Sequence, residues 1–158
     1  MHTETKELIQ TTLNQKLLAG DLSDIFLVFR ISGGLPHQRY FEECKLSGTG
    51  DITITHEDIL HAVPKLSVTS KLAKKEVLAL LQDLHLALID FPYPQEVKFL
   101  PDSVIGSFTI QLESSTLIVY FPVDSDLQPI EDASSPASMK DMIIKIRSIE
   151  QALLQREI

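Results

Sequence analysis

The 158-residue chain carries a formal charge of −8 at pH 7, with 44% hydrophobic and 23% charged residues. That balance suits a globular chain able to bury roughly two thirds of the surface it would expose unfolded, and it excludes a disordered polymer. The acid excess argues against nucleic acid as a partner, because nonspecific affinity comes mainly from Lys and Arg neutralising phosphates, and no apolar run approaches the about 20 residues that a membrane-spanning helix needs.

The first seven residues, Met1 to Glu7, lack the basic start and apolar block of a secretory signal, so the expectation is a cytoplasmic protein. Residues 4–18 carry Leu8, Ile9, Leu13, Leu17 and Leu18 at near-helical spacing, which predicts a helix stopped by Gly20. Residues 24–31 then alternate as a strand, with Ile25, Leu27, Phe29 and Ile31 on one face and Phe26 and Val28 on the other. Apolar residues on both faces predict a central strand.

Two Gly-containing turns, Ser32-Gly33-Gly34 and Ser47-Gly48-Thr49-Gly50, divide residues 26–54 into a three-strand antiparallel meander. The middle strand puts Cys44 on the same side as Tyr40 and Leu46. As the single cysteine of the chain, Cys44 excludes an internal disulfide and a multi-thiolate zinc site, and it reads as a small buried hydrophobe rather than a nucleophile. The adjacent carboxylates Glu42 and Glu43 point to opposite faces of a strand and make no acid/base dyad with each other.

Residues 56–65 are ambiguous, and Pro64 interrupts any continuous helix through them. His56, Glu57, Asp58 and His61 form the one polar cluster that invites a chemical reading. Its two histidines are five residues apart, whereas the HExxH zinc motif has them four apart. On a helix, a five-residue step separates side chains by about 140°, so only a turn would let His56 and His61 meet one metal with Asp58 as an oxygen ligand. The expectation is a polar turn with no metal and no cofactor. Gly48-Thr49-Gly50 leads into a strand-like run, not a helix, so it is a turn and not a dinucleotide fingerprint.

Ser70 is placed to cap a helix running to about residue 84, with Leu72, Val77, Leu80, Leu81 and Leu84 as its apolar stripe. Residues 86–91 leave that helix, and Pro92 and Pro94 impose an extended connection. A second hairpin follows, with Val104, Phe108, Ile110 and Leu112 facing Leu117, Val119, Phe121 and Val123 around Ser114-Ser115. An acidic, proline- and serine-containing loop around 124–138 reads as mobile. The last helix, residues 139–155, carries Met139, Met142, Ile143, Ile146 and Leu153 as a docking or dimerisation face, with Lys140, Lys145 and Arg147 outward.

These elements predict a single α+β domain over residues 1–158, with an antiparallel sheet of about five strands and helices packed against it. The ordered pattern resembles the emfourin family, small bacterial proteins associated with inhibition of thermolysin-like metalloproteases. The resemblance runs from Ile31-Ser32-Gly33-Gly34 through Leu80-Leu81-Gln82-Asp83-Leu84 and Asp90-Phe91-Pro92 to Ser107-Phe108-Thr109-Ile110 and Leu117-Ile118-Val119-Tyr120, and ends in a helix. It implies a protein-binding surface on the meander and its adjoining loops. The chain departs from the family pattern in its N-terminal helix, in the insertion around residues 56–67 and in the acidic loop after Val123.

The functional expectation is therefore a non-catalytic binding or regulatory protein, a protease regulator in its specific form, with a protein partner or a second copy of itself. The alternative from another class is a hydrolase with an unrecognised site near His56, Glu57, Asp58 and His61.

Overall fold

Alternation along β1 (Ile25–Gly33) drives Ile25, Leu27, Phe29 and Ile31 into the core at 0–2% exposure and leaves Phe26 48% exposed on the opposite face. The computed structural model in which this is seen describes residues 2–90, 103–124, 126–128 and 137–156. In it β1 is preceded by α1 (His2–Ala19) and followed by β2 (Tyr40–Ser47), β3 (Asp51–Asp58) and β4 (Val63–Lys71). Then come α2 (Lys74–Asp90), the hairpin β5 (Val104–Leu112) and β6 (Ser115–Pro122), and α3 (Ala137–Arg156).

The strands form one antiparallel sheet in the order β4-β3-β2-β1-β5-β6, so β1 is central, hydrogen-bonded to β2 and β5. The α+β class stands. The sheet has six strands where about five were expected, and the added one is β4, which begins in the ambiguous segment 56–65 and runs on through Lys71. Its Pro64 is tolerated because β4 is an edge strand, where a missing N–H need not break a ladder.

Two helix boundaries differ from the sequence reading. Ser70 does not cap α2: it pairs with Ile52 inside β4, and the Leu72 N–H still donates to the Gly50 carbonyl at 2.8 Å before the helix begins at Lys74. Residues 86–90 do not leave α2 either. Ala87 and Leu88 continue the stripe of Leu84 at 0% exposure, while Leu86 and Ile89 stay more than half exposed. Apolar residues on the outer face had hidden the helical period. The connection expected at Pro92 and Pro94 lies outside the described residues.

All three helices cover the same face of the sheet. Ile9 and Leu13 from α1, Val77, Leu80, Leu81 and Leu84 from α2, and Met142, Ile143 and Ile146 from α3 join the inward residues of the strands in one core. Phe29, Phe108 and Phe121 meet at its centre, with ring centroids 5.3, 6.1 and 5.6 Å apart. Gly106 makes room for them: a Cβ there would lie 2.0 Å from the Phe121 ring. The apolar face of α3 is consumed inside this core, since Met139, Met142, Ile143, Ile146 and Leu153 are at most 5% exposed. Among the described residues no helix is long and apolar enough to cross a membrane.

The acidic segment around 124–138 falls partly outside the described residues. Within it, Asp124 organises a turn, its Oδ1 accepting the Asp126 and Gln128 N–H groups at 2.9 and 3.0 Å. That turn sets Leu127 beside the end of α3, next to the cleft described below.

Candidate functional site

β2 puts Tyr40, Glu42, Cys44 and Leu46 on one inward face, so a carboxylate sits in a row of core side chains. Glu42 is 4% exposed, and a buried charge persists only if it is paired and hydrogen-bonded. The partners come from α3 and from β2 itself. Arg147 grips the carboxylate bidentately, Nε donating to Oε2 and Nη2 to Oε1, both at 3.1 Å. The Tyr40 hydroxyl donates to Glu42 Oε1 at 2.6 Å. One turn along α3, Glu150 also hydrogen-bonds Glu42, and it is itself 3% exposed.

The two carboxyls divide the protonation states between them, as like charges in one buried site must. Burial penalises the charge on Glu42, but the Arg147 hydrogen bonds and charge together with the Tyr40 hydroxyl outweigh it and hold Glu42 below the usual carboxylate range. Glu150 is pushed the other way, to about 9, by burial and then by the negative charge of Glu42. Glu42 is therefore ionised and Glu150 carries a proton at neutral pH. Burial, reinforced by Glu42, pushes the Tyr40 phenol up, and burial does the same to the Cys44 thiol. Cys44 is a core residue without thiolate character, as its strand position implied.

The network floors a cleft of about 360 Å³ between the ends of β2 and β3, the Asp124 turn and the C-terminal half of α3. His56 stands at its side, edge-on to the Tyr40 ring with centroids 5.5 Å apart, directly opposite Glu42 in the β2–β3 ladder. Leu127 and Leu154 supply apolar wall, and Gln128, Gln151 and Asp126 add polar lining. Oε1 of Glu150 has no hydrogen-bond partner, and it is the one such buried side-chain atom among the described residues.

The residues singled out in the sequence are parted by this arrangement. His56 lies in β3 and faces the cleft, while Glu57, the next residue on the strand, is opposite Phe41 on the other face. Asp58 and His61 do meet, Nδ1 of the imidazole lying 2.7 Å from Oδ2, with the His61 N–H on Oδ1 of the same carboxylate. That pair organises the β3–β4 turn, in which Ala62 takes a positive φ of 56°. Among the described residues, no group of three or more His, Cys, Asp or Glu side chains is placed to hold a metal.

Tyr40, Glu42, Arg147 and Glu150 escaped the sequence reading as a group. Arg147, placed outward by helical spacing, turns inward, its side chain 16% exposed against Glu42. The signal lay in the pattern: Glu42 interrupts the inward alternation of β2, and Glu150 occupies a stripe position of α3 between Ile146 and Leu153. No protein-family model matches the chain, and no curated protein matches it.

Proposed function

We propose that the chain is a non-catalytic binding protein that docks a protein partner on the open face of its sheet. The observation that carries this reading is the exposure on that face: Phe26 is 48% and Ile118 43% exposed, with Val28, Phe41 and Tyr120 half-buried beside them. An antiparallel sheet can leave one face to water, but it then ordinarily carries polar side chains there. Aromatic and aliphatic residues on such a face, bordered by charge, have the composition of an interface core and rim. The border is present in Arg30, whose Nε donates to Glu43 at 2.8 Å and whose guanidinium lies 5.8 Å from the Phe41 ring, and in Lys45 on the other oxygen of Glu43.

The face joins the outer side of the meander to that of β6, and the resemblance to emfourins implies a protein-binding surface on the meander and its adjoining loops, so the partner in this reading is a thermolysin-like metalloprotease and the action is regulatory. The test is a titration of the chain into thermolysin cleaving a peptide substrate. Stoichiometric inhibition by the wild type, weakened at least about tenfold by Phe26→Asp and Ile118→Asp in variants that unfold at the wild-type temperature, is the expected result. Undiminished proteolysis at micromolar chain, with no complex in light scattering, contradicts it.

A further inference from the structure

We propose that the outer edge of β4 receives an extended, acidic segment of a partner protein as a seventh, antiparallel strand. This contact lies at the side of the sheet and is independent of docking at its open face.

The register of the sheet decides which backbone groups are on offer. In an antiparallel ladder, hydrogen-bonded and non-hydrogen-bonded pairs alternate. The Leu72 N–H donates to the Gly50 carbonyl at 2.8 Å, so the hydrogen-bonded pairs that follow are Ser70 with Ile52, Val68 with Ile54 and Leu66 with His56. Ser67, Thr69 and Lys71, which alternate with these, turn their N–H and C=O groups away from β3. Their side chains agree: the Thr69 hydroxyl lies 3.4 Å from that of Thr53 and the Ser67 hydroxyl 3.2 Å from that of Thr55, the close approach of non-hydrogen-bonded pairs. Among the described residues no strand lies beyond β4, and no backbone hydrogen bond is made to those outward groups. Ser67, Thr69 and Lys71 are all exposed, so the row is open to solvent.

Charge and shape select the partner. β4 carries Lys65 and Lys71, both exposed, and no carboxylate, in a chain of charge −8. Lys71 is held loosely, 3.8 Å from Asp51 with both side chains 69% exposed. A second copy would set one lysine-bearing strand against another, and Lys together with Pro64 closes an edge to its own kind. A strand carrying Asp or Glu meets the opposite condition. Its alternate side chains fall on two rows, one beside Ser67 and Thr69 on the open face, the other beside Leu66 and Val68 on the side where α3 packs. Leu66 is exposed there, and an apolar residue of the partner covers it. The recognised segment is therefore extended, apolar at alternate positions and acidic at its ends.

The test is an NMR titration of the isotope-labelled chain with acetyl-Glu-Val-Thr-Val-Thr-Val-Glu amide, whose valines face one side and whose threonines and glutamates face the other. Binding with Kd on the order of 0.1–1 mM is expected. At about ten times Kd, hydrogen exchange at the Ser67 and Thr69 amides should slow about tenfold. The same peptide with Lys in place of Glu should bind at least about fivefold more weakly, and Lys65→Glu with Lys71→Glu should reverse that order. Thr69→Pro removes an outward donor without touching the β3 ladder, and should fold and weaken binding about tenfold. Methylated peptides make the same test on the unaltered chain. Methylating the two Thr nitrogens, which face β4 in the antiparallel pair, should abolish binding, whereas methylating the Val nitrogens should not. No binding, equal binding of the Glu and Lys peptides, equal loss on either methylation, or unchanged exchange at Ser67 and Thr69 overturns the proposal. Shifts confined to Phe26 and Ile118 would place the peptide on the open face and overturn it equally.

Discussion

Glu42 on β2 and Glu150 on α3 hydrogen-bond to each other across the interface of sheet and helix, one ionised and the other protonated. Arg147 decides which is which, because its guanidinium grips Glu42. The helix that closes the core is thus fixed to the sheet by apolar packing and by a proton-sensitive polar contact in the same place.

Stability should fall with rising pH because of Glu150. In the unfolded chain its carboxyl titrates near 4.5 and in the fold near 9, so between those values the folded state holds a proton that the unfolded state has lost. The penalty is absent below the lower value, grows through the window and is complete above the upper one. Glu42 works in the opposite sense, its contribution being lost as pH falls through its lowered folded value. Thermal unfolding of Glu150→Gln across pH 5 to 10 should show a flatter alkaline decline than the wild type, and parallel declines would refute this account of Glu150.

Arg147→Met should cost about 3–5 kcal/mol, because it leaves Glu42 buried without its cation. Adding Glu42→Gln to that variant should restore part of the loss, since the uncompensated charge is then gone. Urea unfolding of both variants measures the difference, and an equal or greater loss in the double variant would show that Glu42 tolerates isolation.

Gly48 is held by contact. A Cβ there would lie 1.6 Å from the Leu22 carbonyl oxygen, whereas at Gly20, with φ of 71°, it would meet nothing within 4 Å. Gly20→Ala should therefore cost only the left-handed strain of about 1–2 kcal/mol. Gly48→Ala must displace backbone and should cost more than that, to be compared by thermal unfolding.

The two faces of the sheet should answer oppositely to truncation, at Phe121 on the covered side of β6 and at Phe26 on the open side of β1. Phe121→Ala opens the centre of the aromatic cluster and should cost about 3–5 kcal/mol. Phe26→Ala, on the open face, should stay within about 0.5 kcal/mol. A large loss at Phe26 would mean that the open face is part of the folding core.

Much of this fold was legible because the burial pattern is one-sided: the inward residues of β1, β5 and β6 alternate cleanly, and Val77 to Leu84 repeats at helical spacing. β4 was not, because five consecutive residues from Val63 to Ser67 are exposed at the sheet edge and give no alternation to read. The end of α2 was masked by exposed Leu86 and Ile89, which make the run look apolar all round. For the site, spacing in sequence could pair only near neighbours such as His56 and His61. Glu42 and Arg147 are 105 residues apart and meet only through the packing of α3 on β2. The detectable trace was each charged residue's place on an inward face.

The most direct measurement of the site is a carbon-detected NMR titration of the two carboxyls, with Glu42 and Glu150 assigned by substitution to glutamine. The structure predicts a Glu150 carboxyl that stays protonated through neutral pH and titrates near 9, while Glu42 titrates below its ordinary 4.5. Two carboxyls titrating together between pH 4 and 5 would contradict the buried, unequally protonated pair on which the cleft's chemistry rests.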